Sequence, residues 1–409
     1  MKKIINRPNA KILGSIIKMN RLHQNMSQKA LSDGICVSSY LSRIENAEIT
    51  PSEQVISELF DAMAIQYEDS PLFIEEGTTL LNQFLDELMF NEFSTSKRIF
   101  EQIEARAETY KHSPLIIDYT VVKLAFYCTR KERDIFEATR NMLASVEDLM
   151  TNDQRFKYYL YDGIDHAKVY KDYEGSLAIL NRAKTFDTNG HLYFWLAYAY
   201  LELSNFIKAF EMFTKALERY VEEANILSII GTYEMLGLTH YRAGSYEEGI
   251  LYFNRGQKLA RKIESKSYVA AFNSNIAWGK LNLGDFHGAL EIDRHNGQNV
   301  TSEFCVHQCI TAFFANLEME NPMSISELLP QIREDNAPIM RLFEAVMTQS
   351  EVINWSEKTI DDEQYLLRLI EAAEAVNHEL SKYLKNMMIR FYRSKRRYKE
   401  ALELTLDLK

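Results

Sequence analysis

A spacing of small and large apolar residues recurs through the middle of this chain, and it limits the possible folds more than any other feature. In residues 190–220 small residues stand at positions 8, 20 and 27 and large ones at 4, 7, 11 and 24: Ala197, Ala209 and Ala216, with Tyr193, Leu196, Tyr200 and Phe213. The spacing returns forty residues later (Tyr233, Leu236, Gly237, Gly249, Phe253, Gly256) and in part after forty more (Ile276, Ala277, Ala289). Because small residues let two helices approach and large ones fill the gaps beside them, the pattern predicts stacked helix pairs.

The first of these units matches the tetratricopeptide pattern nearly residue for residue, and the 409 residues include only 15 Gly and 7 Pro. Weaker units fit residues 157–187, residues 93–103 and the segment around Tyr398 and Ala401. The resemblance implies an all-α fold, with a right-handed tetratricopeptide superhelix over residues 76–409 and a linker over residues 67–75. A forty-residue period exceeds the usual ~34 residues, so the helices or turns must be longer than usual.

Charge separates the first 66 residues from the rest. The net charge of -11 argues against a protein that coats nucleic acid along its whole length. Residues 1–66 nevertheless carry +2 and the remaining residues -13, and residues 1–32 contain no acid. We therefore expect only this N-terminal segment to meet an anionic partner.

The N-terminal segment is predicted to form five short helices. Ser27 is a candidate N-cap for the second helix, and Ser38 for the third. Val37, Leu41 and Ile44 recur at helical spacing and are expected to point inward. The fifth element is a short turn around Ile65.

Three motifs in this segment resemble the helix-turn-helix of phage repressors and Cro: Ser27–Leu31, Ser39–Asn46 and Pro51-Ser52. The resemblance covers residues 10–66 and implies a five-helix, lambda-repressor-like DNA-binding domain over residues 1–66. Its partner would be a double-stranded DNA operator, since a recognition helix of about two turns fits the major groove. A helix-turn-helix that serves only as a protein-binding module is the alternative.

The candidate DNA contacts fall into two groups. Arg43 can pair bidentately with guanine, and Gln28 can pair with adenine or a phosphate. Base or groove contacts are expected from Gln28, Ser39, Tyr40 and Arg43, and backbone contacts from Ser38, Ser42, Lys18, Arg21 and Lys29.

The inner face of the array is the candidate ligand groove. In the tetratricopeptide domains that this array resembles, fixed positions of each first helix line the groove. The Asn275 amide can both donate to and accept from a peptide backbone, and Trp195, Tyr198 and Trp278 can form apolar pockets. Asp162 and Asp165 are expected to pair with a peptide amine or a Lys. The remaining candidates are Glu202, Glu234, Arg242, Ser274 and Asn282, and packing between repeats is the alternative for the aromatic residues.

Other classes of function have weak support. The four cysteines are too few for a disulfide framework and favour a reducing, cytoplasmic setting. No apolar run approaches the ~18 residues of a membrane helix, and no leader peptide is evident. On one helix, Cys305 and Cys309 would share a face with His307 opposite, which argues against zinc. No catalytic or phosphate-loop motif is present, so we predict no enzyme, cofactor or metal.

Together the two modules resemble the RRNPP family of quorum-sensing peptide receptors, in particular its NprR and PlcR branch. The resemblance implies a homodimer that binds a short imported signalling peptide in the groove and thereby re-spaces its two DNA-reading heads. The alternative is an interaction adaptor that, like Rap members of the family, binds and inhibits a signalling protein.

Overall fold

The structure, a computed structural model, describes residues 9–89, 93–128, 130, 132–296, 302–321, 353–374 and 378–407. In these ranges the chain is almost entirely helical, which confirms the predicted all-α class. The exception is a short antiparallel ladder in which β1 (Ile353–Asn354) pairs with β2 (Thr359–Ile360), with Ile353 opposite Ile360. The chain divides into two compact units, residues 1–228 and residues 229–409, which are described separately. Among the residues described, no helix is both long and apolar enough to cross a bilayer.

The first unit begins with four helices around a small apolar core. Leu13, Ile16, Leu41 and Leu59 are at most 1% exposed. The fifth element is the short turn predicted around Ile65: Ala64 has φ 56° and the Ile65 N–H donates to the Phe60 carbonyl at 2.8 Å. The helices are α1 (Ala10–His23), α2 (Gln28–Ser32), α3 (Ser38–Glu45) and α4 (Glu53–Ala62).

Helix pairs fill the rest of the first unit. The first of these helices begins at Pro71, inside the range predicted as a linker. A 3-10 turn (Glu147–Leu149) and a π-helical segment (His166–Tyr170) interrupt the series. The α-helices are α5 (Pro71–Met89), α6 (Phe93–Glu104), α7 (Ala107–Lys111), α8 (Ile116–Tyr127), α9 (Arg133–Ser145), α10 (Asn152–Asp165), α11 (Tyr173–Ala183), α12 (Gly190–Glu202) and α13 (Phe206–Glu222).

The second unit continues the helix pairs around one apolar core that includes Phe253, Phe272, Phe313 and Leu384. Its helices are α14 (Ile226–Arg242), α15 (Tyr246–Lys262), α16 (Lys266–Asn282), α17 (Phe286–Asn296), α18 (Ser302–Glu318), α19 (Glu363–Glu374), α20 (His378–Ser394) and α21 (Tyr398–Asp407). The side chains of Cys305 and His307 lie outside the described residues, whereas Cys309 is buried in the core.

The forty-residue period has a simple structural origin. Helices α14, α15 and α16 each contain 17 residues, and three-residue turns separate them. Within each pair the middle residue of the turn is left-handed, and an aromatic residue directly after the turn opens the second helix. These left-handed residues are Ser204, Gly244 and Gly284, and the aromatics are Phe206, Tyr246 and Phe286. Longer helices, not longer turns, therefore lengthen the repeat.

The small residues of the repeat mark close helix contacts, as the spacing predicts. A Cβ atom on Gly249 of α15 would lie 2.4 Å from the ring of Tyr241 on α14 and 2.9 Å from the Gly237 carbonyl oxygen. A Cβ atom on Gly237 would lie 2.5 Å from the Phe253 ring. A side chain at Gly237 would require the Phe253 ring to shift, and one at Gly249 would also press on the backbone of α14.

Candidate functional site

Helices α2 and α3 form the helix-turn-helix as predicted in outline. The Ser27 hydroxyl accepts a hydrogen bond from the Ala30 N–H at 3.0 Å, which confirms Ser27 as the N-cap of α2. Leu31, Leu41 and Ile44 are buried, so they anchor both helices in the core. The opposite side of α3 carries polar side chains into solvent.

The beginning of α3 differs from the prediction. Val37, not Ser38, is the N-cap residue, and it makes no side-chain cap hydrogen bond. Because its ψ of 145° is extended rather than helical, Val37 does not share the face of α3 that carries Leu41 and Ile44. Its side chain is 68% exposed instead of directed inward. Ser38 is the first helical residue, and its hydroxyl lies 3.0 Å from the Ser32 hydroxyl.

Arg21 is a structural residue, which corrects its prediction as a contact to the DNA backbone. Its guanidinium forms a bidentate ion pair with Glu45, with Nε–Oε1 2.6 Å and NH2–Oε2 2.9 Å, and it donates to the Met26 carbonyl at 2.8 Å. Arg21 is 7% exposed and Glu45 is fully buried. Because all three nitrogens of this buried guanidinium already donate within the domain, Arg21 is not placed to bind a DNA phosphate.

Gln28 joins the same network from the first position of α2. Its Nε2 donates to Glu45 Oε2 at 2.8 Å. The amide oxygen and the second N–H of Gln28 remain available, and these are the two groups that a bidentate contact to adenine uses. Glu45 therefore acts as a positioning residue that fixes the orientation of the Gln28 side chain.

The remaining DNA candidates lie at or near the surface and stay predictions. Arg43 pairs with Glu48 at 3.4 Å, but both side chains are more than half exposed. An exposed pair of this kind is worth at most ~1 kcal/mol, so DNA can displace it. Ser39 and Lys29 are exposed, whereas Lys18, Tyr40 and Ser42 are half-buried.

The helix-turn-helix module is fastened to the end of α7. Asn20 of α1 donates from Nδ2 to the Lys111 carbonyl oxygen at 2.9 Å. The Glu68 N–H donates to the His112 carbonyl oxygen at 3.0 Å, and the Gln66 N–H donates to His112 Nδ1 at 3.3 Å. These bonds hold both ends of the module against the first helices of the array.

In the array, two predicted groove residues of the first unit form an aromatic cluster on α12. The rings of Trp195 and Tyr198 meet edge to face at 5.4 Å, and both residues are half-buried. Trp195 Nε1 donates to His191 Nε2 at 3.3 Å. Burial lowers the pKa of His191 to about 4, so the ring is neutral at physiological pH and can accept that bond. Glu202, at the end of α12, is half-buried.

Lys168 completes this cluster, and the sequence did not single it out. The π-helical segment carries Lys168, whose ammonium lies 6.0 Å from the centre of the Trp195 ring. The residue is exposed. A π-helical turn has no simple sequence signal, which is why the residue was missed.

Asp162 and Asp165 do not face a ligand, which corrects their prediction as partners of a peptide amine. Asp165 is fully buried and is held by Arg133 at 2.6 and 2.7 Å. Asp162 is 8% exposed and lies 3.7 Å from Arg140. Both carboxylates are already neutralised by arginines of α9.

In the second unit Asn275 and Glu234 lie together. Both are half-buried, and their side chains are hydrogen-bonded. Burial raises the pKa of Glu234, while the bond from Asn275 opposes that rise. Arg242 and Asn282 are also half-buried, and Asn282 Nδ2 donates to the Trp278 carbonyl at 2.8 Å.

Ser274 and Trp278 belong to the core, which corrects their prediction as groove residues. They are 3% and 2% exposed. The Trp278 ring packs 5.5 Å from the ring of Tyr383, on α20. A helix more than a hundred residues away therefore covers this side of α16.

The first unit also holds a cleft that none of the predicted contacts lines. Its volume is about 350 Å³, and α5, α10 and the residues before α12 surround it. Leu85, Met89 and Phe156 supply apolar walls, and Asp86 and Asp153 supply carboxylates. In the part of the chain that the structure covers, no group of three or more His, Cys, Asp or Glu side chains could hold a metal ion.

Two family models match the chain at the places that the sequence predicts. The helix-turn-helix model covers residues 17–69, and the tetratricopeptide-repeat model covers residues 190–220. The transcriptional activator NprA of Geobacillus stearothermophilus is 21% identical over 259 residues. That match spans 61% of this chain and 63% of NprA, less than two thirds of its length.

Solved structures share the fold. The apo form of the quorum sensor NprR from B. thuringiensis aligns over 82% of this chain and 98% of its own, with a TM-score of 0.61 and 15% identity. NprR in complex with its cognate peptide NprX covers 82% of this chain and 89% of its own, with a TM-score of 0.50 and 16% identity. A Rap protein complexed with Competence and Sporulation Factor covers 82% and 96%, with a TM-score of 0.58 and 13% identity. The chain therefore shares its fold with these quorum-sensor and Rap structures and carries a helix-turn-helix match ahead of a tetratricopeptide match, which confirms the predicted resemblance.

Proposed function

We propose that this chain, which joins the helix-turn-helix module of the RRNPP regulators to an array of NprR-like fold, is a peptide-responsive transcriptional regulator. In this proposal a homodimer binds a double-stranded operator through its two heads, and the array binds a short imported signalling peptide. Both ligands are met in the cytoplasm, so the protein acts there.

One observation carries the DNA part of the proposal. Helix α3 keeps an exposed polar face, with Ser39 and Arg43 outward, while its apolar side is anchored in the core. Glu45 orients Gln28 at the start of the neighbouring helix. Side-chain donors fixed on two adjacent helices in this way can hydrogen-bond to base edges in the major groove of DNA.

The peptide part rests on polar and aromatic side chains that remain accessible on the first helices of the pairs. In the first unit these are Trp195, Tyr198 and Glu202, with Lys168 beside them. In the second unit they are Glu234, Arg242, Asn275 and Asn282. Aromatic rings supply apolar contact, and amides and charges bond the peptide backbone and ends.

The proposed switch acts through geometry. The hydrogen bonds of Lys111 and His112 hold the helix-turn-helix module against the first helices of the array. A shift of those helices on peptide binding therefore turns the head with them. Half-sites on one face of the duplex lie about 34 Å apart per turn, so a small rotation of two heads changes operator affinity.

The test begins with full-length protein and a pool of random DNA duplexes. Selection is expected to enrich a two-fold symmetric site, which then serves for titration with synthetic peptides encoded by short reading frames near the gene. A peptide that binds and changes operator affinity by about fivefold or more supports the proposal. Failure to enrich any duplex would refute operator binding, and an operator that ignores every binding peptide would refute the switch.

The second candidate function is a protein-interaction adaptor. It is favoured by the likeness of the fold to a Rap protein. Affinity capture with the full chain and with a variant lacking residues 1–66 separates the two functions. A signalling protein held equally by both forms, together with no selected operator, would favour the adaptor.

A further inference from the structure

Val37, at the start of α3, occupies its position at a cost to the stability of the helix-turn-helix module. N-cap positions usually carry Ser, Thr, Asp or Asn, because their side-chain oxygens accept hydrogen bonds from the first N–H groups of the helix. Val37 makes no such bond. Its methyl groups lie in solvent instead, with the side chain 68% exposed. A residue selected for stability alone would be polar at this position.

This departure is confined to one helix of the module. The N-caps of α1, α2 and α4 are Asn9, Ser27 and Ser52, and each accepts a hydrogen bond through its side-chain oxygen. Within residues 9–66, the part of the module that the structure describes, every other Val, Ile, Leu, Met, Phe and Tyr is buried or half-buried. Natural sequences break such local rules mainly at functional sites.

The exposed methyl groups of Val37 lie at the end of α3 that enters the groove in a helix-turn-helix complex. The N-terminal residues of a recognition helix are the ones that face base edges. The Ser38 hydroxyl is hydrogen-bonded to the Ser32 hydroxyl inside the module, so Val37 and Ser39 are the exposed side chains at this end. Among the groups that base pairs present in the major groove, the C5-methyl group of thymine is the apolar one.

We propose that Val37 is a specificity-determining residue that packs against the C5-methyl group of a thymine, one in each half-site of the operator. Valine is stiff about its first side-chain torsion, so the contact orders little that is not already ordered. A cytosine at the same place would lack the methyl group and would bring its N4 donor against an apolar side chain, where that donor stays unpaired. The inference rests on the operator binding of the proposed function.

Deoxyuridine tests the contact, because it lacks only the C5-methyl group of thymidine. On an operator selected with the full-length protein, each thymine of a half-site and its symmetry mate are replaced by deoxyuridine in turn. At one position, loss of the buried methyl group is expected to lower affinity about fourfold per half-site and about fifteenfold when both half-sites are changed. Gel-shift titration measures the affinities.

Val37→Ser separates the thymine contact from a structural role. Serine supplies the missing cap, so hydrogen exchange of the α3 amides should slow. The same variant should lose affinity for the thymine operator and should no longer respond to deoxyuridine. Val37→Ala is the second variant, because it removes the methyl contact without adding a hydroxyl that could bond to a base. The control is Arg43→Ala, which should keep the full response to deoxyuridine.

Two results would overturn this inference and leave operator binding intact. One is an operator on which no thymine responds to deoxyuridine. The other is a response that persists undiminished in both Val37→Ser and Val37→Ala. If no duplex is selected at all, the proposed function fails and this inference fails with it.

Discussion

At the scale of single residues, the helix-turn-helix head depends on one buried network. Glu45 receives Arg21 from α1 and Gln28 from α2, so one carboxylate joins three helices. The sequence predicted Arg21 as a DNA contact because a basic residue in a basic segment usually faces solvent. The acid that buries it lies 24 residues away, and sequence reasoning has no access to that pairing.

Replacing Arg21 with Met should destabilise the head strongly. The substitution leaves the Glu45 carboxylate buried without its cation, which costs about 3–5 kcal/mol. Hydrogen exchange of the α1–α3 amides measures the loss. An Arg21→Met/Glu45→Leu double variant is the control and should recover most of the stability, whereas a single-variant cost below 1 kcal/mol would contradict the role given to the pair.

Arg43→Ala should weaken operator binding by about 1–3 kcal/mol and relax base preference at one position of each half-site. Gel-shift titration on the selected operator measures both effects. Glu48→Ala is the matched control, because it removes only the exposed partner of Arg43, 3.4 Å away. Its operator affinity should not fall. Unchanged affinity and preference in Arg43→Ala would remove this residue from the base contacts.

At the scale of elements, glycines at fixed positions of the repeat determine how closely the two helices of a pair approach. Tyr241 and Phe253 occupy the space that Cβ atoms on Gly249 and Gly237 would need. Two helices of the same length with larger residues at these points could not reach this separation. The repeat spacing therefore encodes packing distance as well as helix position.

Gly249→Ala and Gly231→Ala should act in opposite directions. The methyl group at Gly249 meets the Tyr241 ring at 2.4 Å, and such overpacking costs about 1–3 kcal/mol. Gly231 has no neighbour within 4 Å of its added Cβ, so alanine there should stabilise α14 by about 0.5–1 kcal/mol. Urea unfolding followed by circular dichroism compares them. Equal stabilisation by both would show that helix propensity, not the close contact at Gly249, dominates.

Sequence alone predicted elements better than it predicted the site. The cap at Ser27 and the close helix contacts at Gly237 and Gly249 lie where local spacing predicted them. The prediction of Trp278 as a groove residue was wrong because α20 covers its side chain. The prediction that Val37 points inward was wrong because this cap residue has an extended backbone, so its side chain does not follow the helical spacing of Leu41 and Ile44. Local patterns determine helix ends, whereas exposure of a groove residue depends on distant helices.

At the scale of the whole molecule, a weakly basic head is attached to an acidic array. The residues after position 66 carry -13, so in the proposed operator complex the heads must provide nearly all attraction for DNA. A dimer doubles every phosphate contact of the head. Operator affinity should therefore fall with salt at a slope set by a few lysines and arginines.

The salt dependence of operator binding by Lys29→Ala should show whether one or two heads contact the DNA. Removing one phosphate contact from each of two heads should reduce the slope of log affinity against log salt by about 1.8, against about 0.9 for one head. Gel-shift titrations at several salt concentrations measure the slope, with Lys171→Ala in the array as the control. A slope unchanged by Lys29→Ala would show that this residue touches no phosphate.

The joint between head and array uses mostly main-chain acceptors. Asn20 donates to the carbonyl oxygen of Lys111, and the Glu68 N–H to that of His112. Any residue with the same backbone conformation presents those oxygens, so the side chain at 111 can change freely while the orientation of the head is kept. The orientation of the head therefore depends on the backbone course of residues 111–112, and among the described hydrogen bonds of this joint only Asn20 and the His112 ring take part through their side chains.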